Sequence, residues 1–259
     1  LVLNKKMNDL LIGIIQGITE FLPISSSGHL VIFSSISEAV DLNTNDIAFL
    51  HIGTLFSILF FYRKRISETL VHKEELQHTL KIIIIAIIPA VLVGLLSPIQ
   101  ETIDNSENLL TITGLAYLCF ASLLLFYELS MKNKETENVL FKNINSKHAL
   151  VIGLAQAIAL VPGVSRSGIT LMVGLYLGIR KADAIYFSLL LGIPTIFGAW
   201  LLTFIETSYT FNPGIVIPVL VASISGFLAI KLLVSFTLNA KLKYFGFYCL
   251  LLSVICFIN

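Results

Sequence analysis

Six apolar stretches constrain this chain more than any other feature of its sequence: residues 45–62, 80–97, 109–128, 183–205, 215–235 and 243–258. A helix needs about 17 to 25 predominantly apolar residues to cross a hydrocarbon core of roughly 30 Å. Backbone polar groups at that depth must be satisfied within the segment, so the six stretches read as transmembrane helices. Composition agrees, with 56% of the 259 residues apolar and 13% charged and a mean hydropathy of +0.89. A formal charge of +1 supplies no basic field for nucleic acid, which is excluded as a partner. Cys119, Cys249 and Cys256 fall inside apolar stretches without metal-ligand spacing and read as small buried hydrophobes.

Two further stretches, 9–37 and 148–177, are apolar at both ends but break in the middle at a proline followed by polar residues. Each reads as two half-helices joined by a turn, a re-entrant hairpin, because irregular backbone at membrane depth survives only where protein or a cavity surrounds it. Lys5 and Lys6 precede an apolar run that Gln16 and Glu20 interrupt, so the segment reads as retained structure rather than a signal peptide.

The loop charges fit this layout. Loop 63–81 carries Arg63, Lys64, Arg65, Lys73 and Lys81, loop 129–147 carries four lysines, 178–182 carries Arg180 and Lys181, and the turn near 236–243 carries Lys241 and Lys243. The intervening loops, 98–108 and 206–214, carry no Lys or Arg. Basic loops lie in the cytoplasm, so the six spans alternate correctly only if both hairpins re-enter; Lys5 and Lys6 are the exception. With Asn259 directly after the last span, no regulatory domain is expected behind it.

The hairpins resemble each other. At an offset of 140, Gly13, Gln16, Ser25, Ser27 and Gly28 of the first meet Gly153, Gln156, Ser165, Ser167 and Gly168 of the second, and three apolar spans follow each copy. An odd number of spans inverts the second copy. The expected fold is therefore an all-α integral membrane protein, one membrane domain over 1–259, built as an inverted-topology repeat of about 9–128 and about 148–258.

Within the hairpins, "QGITEFLPISSSGHL" (16–30) and "PGVSRSGIT" (162–170) concentrate the polar chemistry. An ionisable side chain at the centre of a membrane helix costs about 2.5 to 3.5 kcal/mol, so Glu20 and Arg166, one in each hairpin, call for a salt bridge between repeats or a functional site. Ser165, Arg166, Ser167 and Thr170 at a helix start form an anion cradle: free N–H groups, hydroxyls and a guanidinium fork. Ser25 and Ser27 occupy the matching turn of the first hairpin. Gln16 and Glu20 share one helix face, as do Ser26 and His29 on the next half-helix. A hydroxyl, an imidazole and a carboxylate that holds a metal or orients a base are the parts of phosphoryl transfer. His51 reads as a packed, hydrogen-bonded histidine.

These two motifs, their order and the span count resemble the undecaprenyl-diphosphatase family, also called the bacitracin-resistance protein family, over essentially the whole chain. The resemblance implies hydrolysis of undecaprenyl diphosphate to undecaprenyl phosphate and inorganic phosphate. That reaction recycles the lipid carrier of cell-wall synthesis and confers bacitracin resistance. It implies catalytic Glu20, Ser26, His29 and Arg166, with Ser26 as proposed nucleophile and Ser25, Ser27, Ser165, Ser167 and Thr170 at the substrate. It implies a divalent cation, Mg2+ or Ca2+, at Glu20 and Gln16, held less tightly here because many members carry glutamate in place of Gln16. Expected partners are a polyprenyl diphosphate lipid and the bilayer, with a homodimer left open. The expected location is the cytoplasmic membrane, with the site facing outward. A phosphohistidine at His29 and direct attack by water stay open as alternatives to Ser26. So does a transporter or flippase of a lipid phosphate or small anion in the same cavity.

Overall fold

The structure is a computed structural model that describes residues 2–36, 44–131, 139–206 and 213–259. It is an all-helical integral membrane protein. The helices are α1 (Val2–Phe21), α2 (Ser26–Ile36), α3 (Thr44–Phe61), α4 (Arg63–Val71), α5 (Lys73–Leu96) and α6 (Ile99–Asp104). They continue with α7 (Leu109–Met131), α8 (Ser146–Ile158), α9 (Arg166–Tyr176), α10 (Lys181–Glu206), α11 (Val216–Leu238) and α12 (Lys243–Ile258).

Four helical stretches, Lys73–Leu96, Leu109–Tyr127, Lys181–Ile205 and Pro213–Leu238, are long and apolar enough to cross a membrane. A fifth candidate is the pair α3 and α4, which bends by 70° at Tyr62. The sequence reads 63–81 as a loop; the chain instead stays helical through the basic run Arg63, Lys64, Arg65. The bend turns that run away from the axis of α3, so its charges are not carried along the apolar span. The stretch 243–258 is helical and apolar but only 16 residues long, about 24 Å at 1.5 Å per residue.

The expected breaks in 9–37 and 148–177 are present. α1 ends at Phe21 and α2 starts at Ser26; α8 ends at Ile158 and α9 starts at Arg166. α1 packs along α11, α8 along α5, α7 along α12, and α3 against both α10 and α11. Glycine permits the first two of these approaches. A Cβ on Gly13 would stand 2.6 Å from the Pro218 carbonyl oxygen, and one on Gly153 would stand 2.4 Å from that of Ala86. Membrane helices gain little from the hydrophobic effect against lipid and associate through such close packing.

One end of the molecule is fastened by charge. Asp183 is fully buried and takes Arg65 Nη2 at 2.7 Å and Arg180 Nε at 2.9 Å. The Arg65 guanidinium also lies 3.8 Å above the Tyr186 ring. This clasp ties α4 to the start of α10 and gathers the basic residues Arg63–Arg65 and Arg180–Lys181 at one end. Cys249 and Cys256 are buried, as their apolar setting predicts, whereas Cys119 is exposed.

Candidate active site

Both hairpin turns are closed by serines. Ser25 adopts a left-handed backbone, φ 59°, and its Oγ accepts the Gly28 N–H at 3.3 Å, capping α2. Ser165 caps α9 in the same way, accepting the Gly168 N–H at 3.2 Å. The serines also sew one hairpin to the other. Ser25 Oγ accepts the Gly163 N–H at 3.2 Å, Ser165 Oγ donates to the Leu22 carbonyl at 3.3 Å, and Ser167 Oγ reaches the carbonyls of Glu20 and Phe21 at 3.1 Å each. Every one of these groups is buried, so the irregular backbone of each turn is satisfied by the other hairpin rather than by lipid.

That seam brings Glu20 and Arg166 together. Arg166 Nη2 donates to Glu20 Oε1 at 2.7 Å. The other carboxylate oxygen, Oε2, accepts Gln16 Nε2 at 3.1 Å and Ser26 Oγ at 3.1 Å, with His51 Nε2 at 3.4 Å. The Glu20 side chain is only 7% exposed, and Ser26 is half-buried. Arg166 Nη1 is buried with no hydrogen-bond partner. It is pressed against α10 at Gly192, where a Cβ would stand 2.2 Å from Nη1. Nη1 thus fills space that α10 leaves by having no side chain there, and makes no hydrogen bond.

His29 is held elsewhere. Its Nδ1 lies 2.7 Å from the Ser25 carbonyl and its Nε2 lies 2.9 Å from Tyr248 Oη, with the two rings stacked at 5.7 Å. A carbonyl only accepts, so Nδ1 carries the hydrogen and Nε2 accepts from Tyr248. Tyr117 Oη closes the group at 3.3 Å from Nδ1. Among the described residues His29 makes no hydrogen bond with Ser26 or Glu20, so the structure does not join the serine to the imidazole. Thr170 Oγ1 lies 2.8 Å from the Arg166 carbonyl and 2.7 Å from Ser188 Oγ. Ser27, itself exposed near the start of α2, lies 3.2 Å from Ser25 Oγ.

An apolar groove of about 140 Å³ leads away from Gln16, Thr19 and Ser26, between Leu11, Ile12 and Ile15 of α1, Leu30 and Phe33 of α2, and Ile47 and Leu50 of α3. The donor set beside it does not by itself make a divalent-cation site. Both Glu20 oxygens already accept hydrogen bonds, one from a guanidinium, and Gln16 turns its NH2 toward the carboxylate. Among the described residues no group of three or more His, Cys, Asp or Glu converges.

The family model for bacitracin resistance protein BacA matches residues 9–255, which takes in both hairpins and every residue of this cluster. The chain belongs to the BacA family. Among BacA-like proteins, the undecaprenyl-diphosphatase of Thermosipho africanus is 44% identical over 257 residues, covering 97% of this chain and 99% of its own. That of Thermodesulfovibrio yellowstonii is 39% identical over 256 residues, covering 96% and 95%. That of Methanococcus maripaludis strain C6 is 35% identical over 256 residues, covering 95% and 97%.

Three residues beside this BacA-family cluster, His51, Tyr117 and Tyr248, carry no motif. His51 is visible in the sequence only as a polar residue in an apolar span, and Tyr248 lies 219 residues from the histidine it stacks on. Their places are set by how α3, α7 and α12 pack.

Proposed function

We propose that this chain is an undecaprenyl-diphosphatase, releasing inorganic phosphate from undecaprenyl diphosphate and leaving the monophosphate carrier, with bacitracin resistance as the consequence. One observation carries the reading: a hydroxyl, a carboxylate and a guanidinium converge where an apolar groove opens. A polyprenyl diphosphate has the two matching parts, an apolar chain for the groove and an anionic head for Arg166.

The Arg166 guanidinium takes the terminal phosphate, and the N–H groups at the starts of α2 and α9 add positive potential there. Ser26 Oγ attacks the terminal phosphorus; the Oγ–P bond forms as the bond to the bridging oxygen breaks. The electron pair leaves with the lipid monophosphate. The Ser26 proton passes to Glu20 Oε2, 3.1 Å away, and departs with the product. Water then attacks the phosphoserine, Glu20 takes a proton from it, and Ser26 Oγ is reprotonated as its bond to phosphorus breaks. His29, with both ring nitrogens engaged, supports the loop of Ser25 in this scheme rather than attacking phosphorus.

The finer architecture belongs to the same reading: six spans, counting the α3–α4 pair and α12, with two re-entrant hairpins inverted relative to each other. The matching packing of α1 on α11 and α8 on α5, through Gly13 and Gly153, supports it. The Arg65–Asp183–Arg180 end is the cytoplasmic one by the distribution of charge. α9, with 11 residues, spans about 16 Å, so Arg166 sits well inside the membrane from that end and opens toward the outer face. Ser106→Cys, labelled only from the cytoplasm, would refute this orientation.

Turnover of a polyprenyl diphosphate labelled in its terminal phosphate, quenched in denaturant and divided between acid, which preserves phosphoserine, and alkali, which preserves phosphohistidine, tests the chemistry. Label recovered on Ser26 is expected. Label on His29 would overturn the serine step, and label on no residue would leave attack by water.

A further inference from the structure

A second cavity, of about 430 Å³, lies at the Asp183 end of the molecule. The ends of four helices form it. Tyr127 comes from the last part of α7, Leu175 from that of α9, Lys181 and Ala182 from the start of α10, and Leu238 from the end of α11, with Arg180 in the turn between α9 and α10. Leu175 stands at the opposite end of α9 from Arg166, roughly 13 Å along its axis at 1.5 Å per residue. The cavity is therefore separate from the hydrolytic cluster.

Its charge is unbalanced. Arg180 gives Nε to Asp183 at 2.9 Å, but the same buried carboxylate also takes Arg65 at 2.7 Å. The Arg180 side chain is 51% exposed, and among the described residues its guanidinium makes no other hydrogen bond. Lys181 Nζ lies 3.4 Å from the Leu238 carbonyl, a neutral acceptor that leaves the ammonium charge uncompensated. Three cations thus face one carboxylate. The remaining walls are largely apolar: Leu175 is buried, and Leu238 is about half exposed. Cationic heads beside apolar surface, at the ends of membrane helices, match the level of a bilayer where phosphate gives way to acyl chain.

We infer that this cavity binds the headgroup of an anionic phospholipid. Its phosphodiester oxygens take the Arg180 Nη groups and Lys181 Nζ, since guanidinium and ammonium are the natural partners of phosphate oxygens, and its glycerol and first methylenes lie on Ala182 and Leu238. Free phosphate shares the anionic chemistry but has nothing to place on the apolar walls. A zwitterionic lipid brings its own cation into the positive field. The inference takes only the leaflet, the cytoplasmic one, from the orientation proposed above, and none of the hydrolysis.

The test equilibrates the full-length protein in detergent with labelled phosphatidylglycerol at increasing mole fractions in the micelle and counts the lipid retained when the protein is captured. Saturable retention, about fivefold or more tighter than that of phosphatidylcholine, is expected. Lys181→Gln removes one charge and should weaken retention about fivefold, the effect of a single cation near an anionic headgroup. Ala182→Glu adds a carboxylate to the lining and should weaken it by at least as much; it decides the matter should Lys181→Gln fail to fold by its unfolding midpoint. Arg180 is left in place because it also holds Asp183. Lys147, exposed at the start of α8 and outside the cavity, is the control, and Lys147→Gln should bind like the parent. Equal retention of the two lipids overturns the inference, as does parent-like binding by folded Lys181→Gln and Ala182→Glu. A loss in Lys147→Gln equal to that in Lys181→Gln would reduce the effect to diffuse attraction and overturn it too. Displacement of the lipid by inorganic phosphate, at an ionic strength matched with chloride, would overturn it in favour of a free-phosphate site.

Discussion

Ser25→Ala removes a single oxygen on which both hairpins depend. Ser25 Oγ accepts two backbone N–H groups, those of Gly28 at 3.3 Å and Gly163 at 3.2 Å, and both bonds are buried. An orphaned buried donor costs about 1 to 3 kcal/mol. Both bonds are long, so the lower end applies to each and the loss sums to about 2 kcal/mol. For a chain of this size 1 kcal/mol moves the unfolding midpoint by about 2 to 4 °C, so Ser25→Ala should unfold about 4 to 8 °C below the parent. Ser25→Gly loses the same oxygen but relaxes the left-handed backbone at φ 59°, recovering about 1 kcal/mol. It should therefore unfold some 2 to 4 °C above Ser25→Ala. Trp200, the single tryptophan, packs against Phe49 across α3 and α10 at 5.9 Å, and its fluorescence during heating in detergent follows the transition. An alanine variant that unfolds with the parent, or a glycine variant that unfolds below the alanine one, would refute the assignment of Ser25 as the strut between the hairpins.

Two other substitutions probe the site directly. Gly192→Ala places a Cβ 2.2 Å from Arg166 Nη1 and should lower kcat/KM for phosphate release by about tenfold or more through displacement of the guanidinium; parent-like kinetics would show that the arginine needs no such room. Gln16→Glu sets a second carboxylate beside Glu20, creating the paired-oxygen donor set that hard divalent cations favour. Mg2+ or Ca2+ titrated by calorimetry should bind the Gln16→Glu protein more tightly than the parent, and an unchanged titration would contradict that account of the donor set.

The features legible in the sequence are those with local causes. A proline and polar residues in the middle of an apolar run have to interrupt a helix wherever the run packs, and the chain does break at 22–25 and 159–165. Glu20 and Arg166 are each too costly alone in hydrocarbon, and they do meet. The 70° bend at Tyr62 was hidden because the basic run after it is equally compatible with a loop, and only the packing of Arg65 on Asp183 and Tyr186 makes it a helix. The serine hydroxyls were legible as helix caps, but whether each faces an open site or a neighbouring carbonyl depends on how two hairpins 140 residues apart interlock. The same holds for His29, whose partner Tyr248 comes from the last helix.

The central claim is that Ser26, Glu20 and Arg166 form one hydrolytic site for a polyprenyl diphosphate. Phosphate release from such a lipid by the detergent-purified protein, measured beside Ser26→Ala and Arg166→Ala, tests it most directly. The account predicts turnover in the parent and a loss of at least about a hundredfold in each folded variant. Turnover that survives the loss of Ser26 or of Arg166, or folded parent protein with no turnover in the presence of lipid and divalent cation, would contradict it.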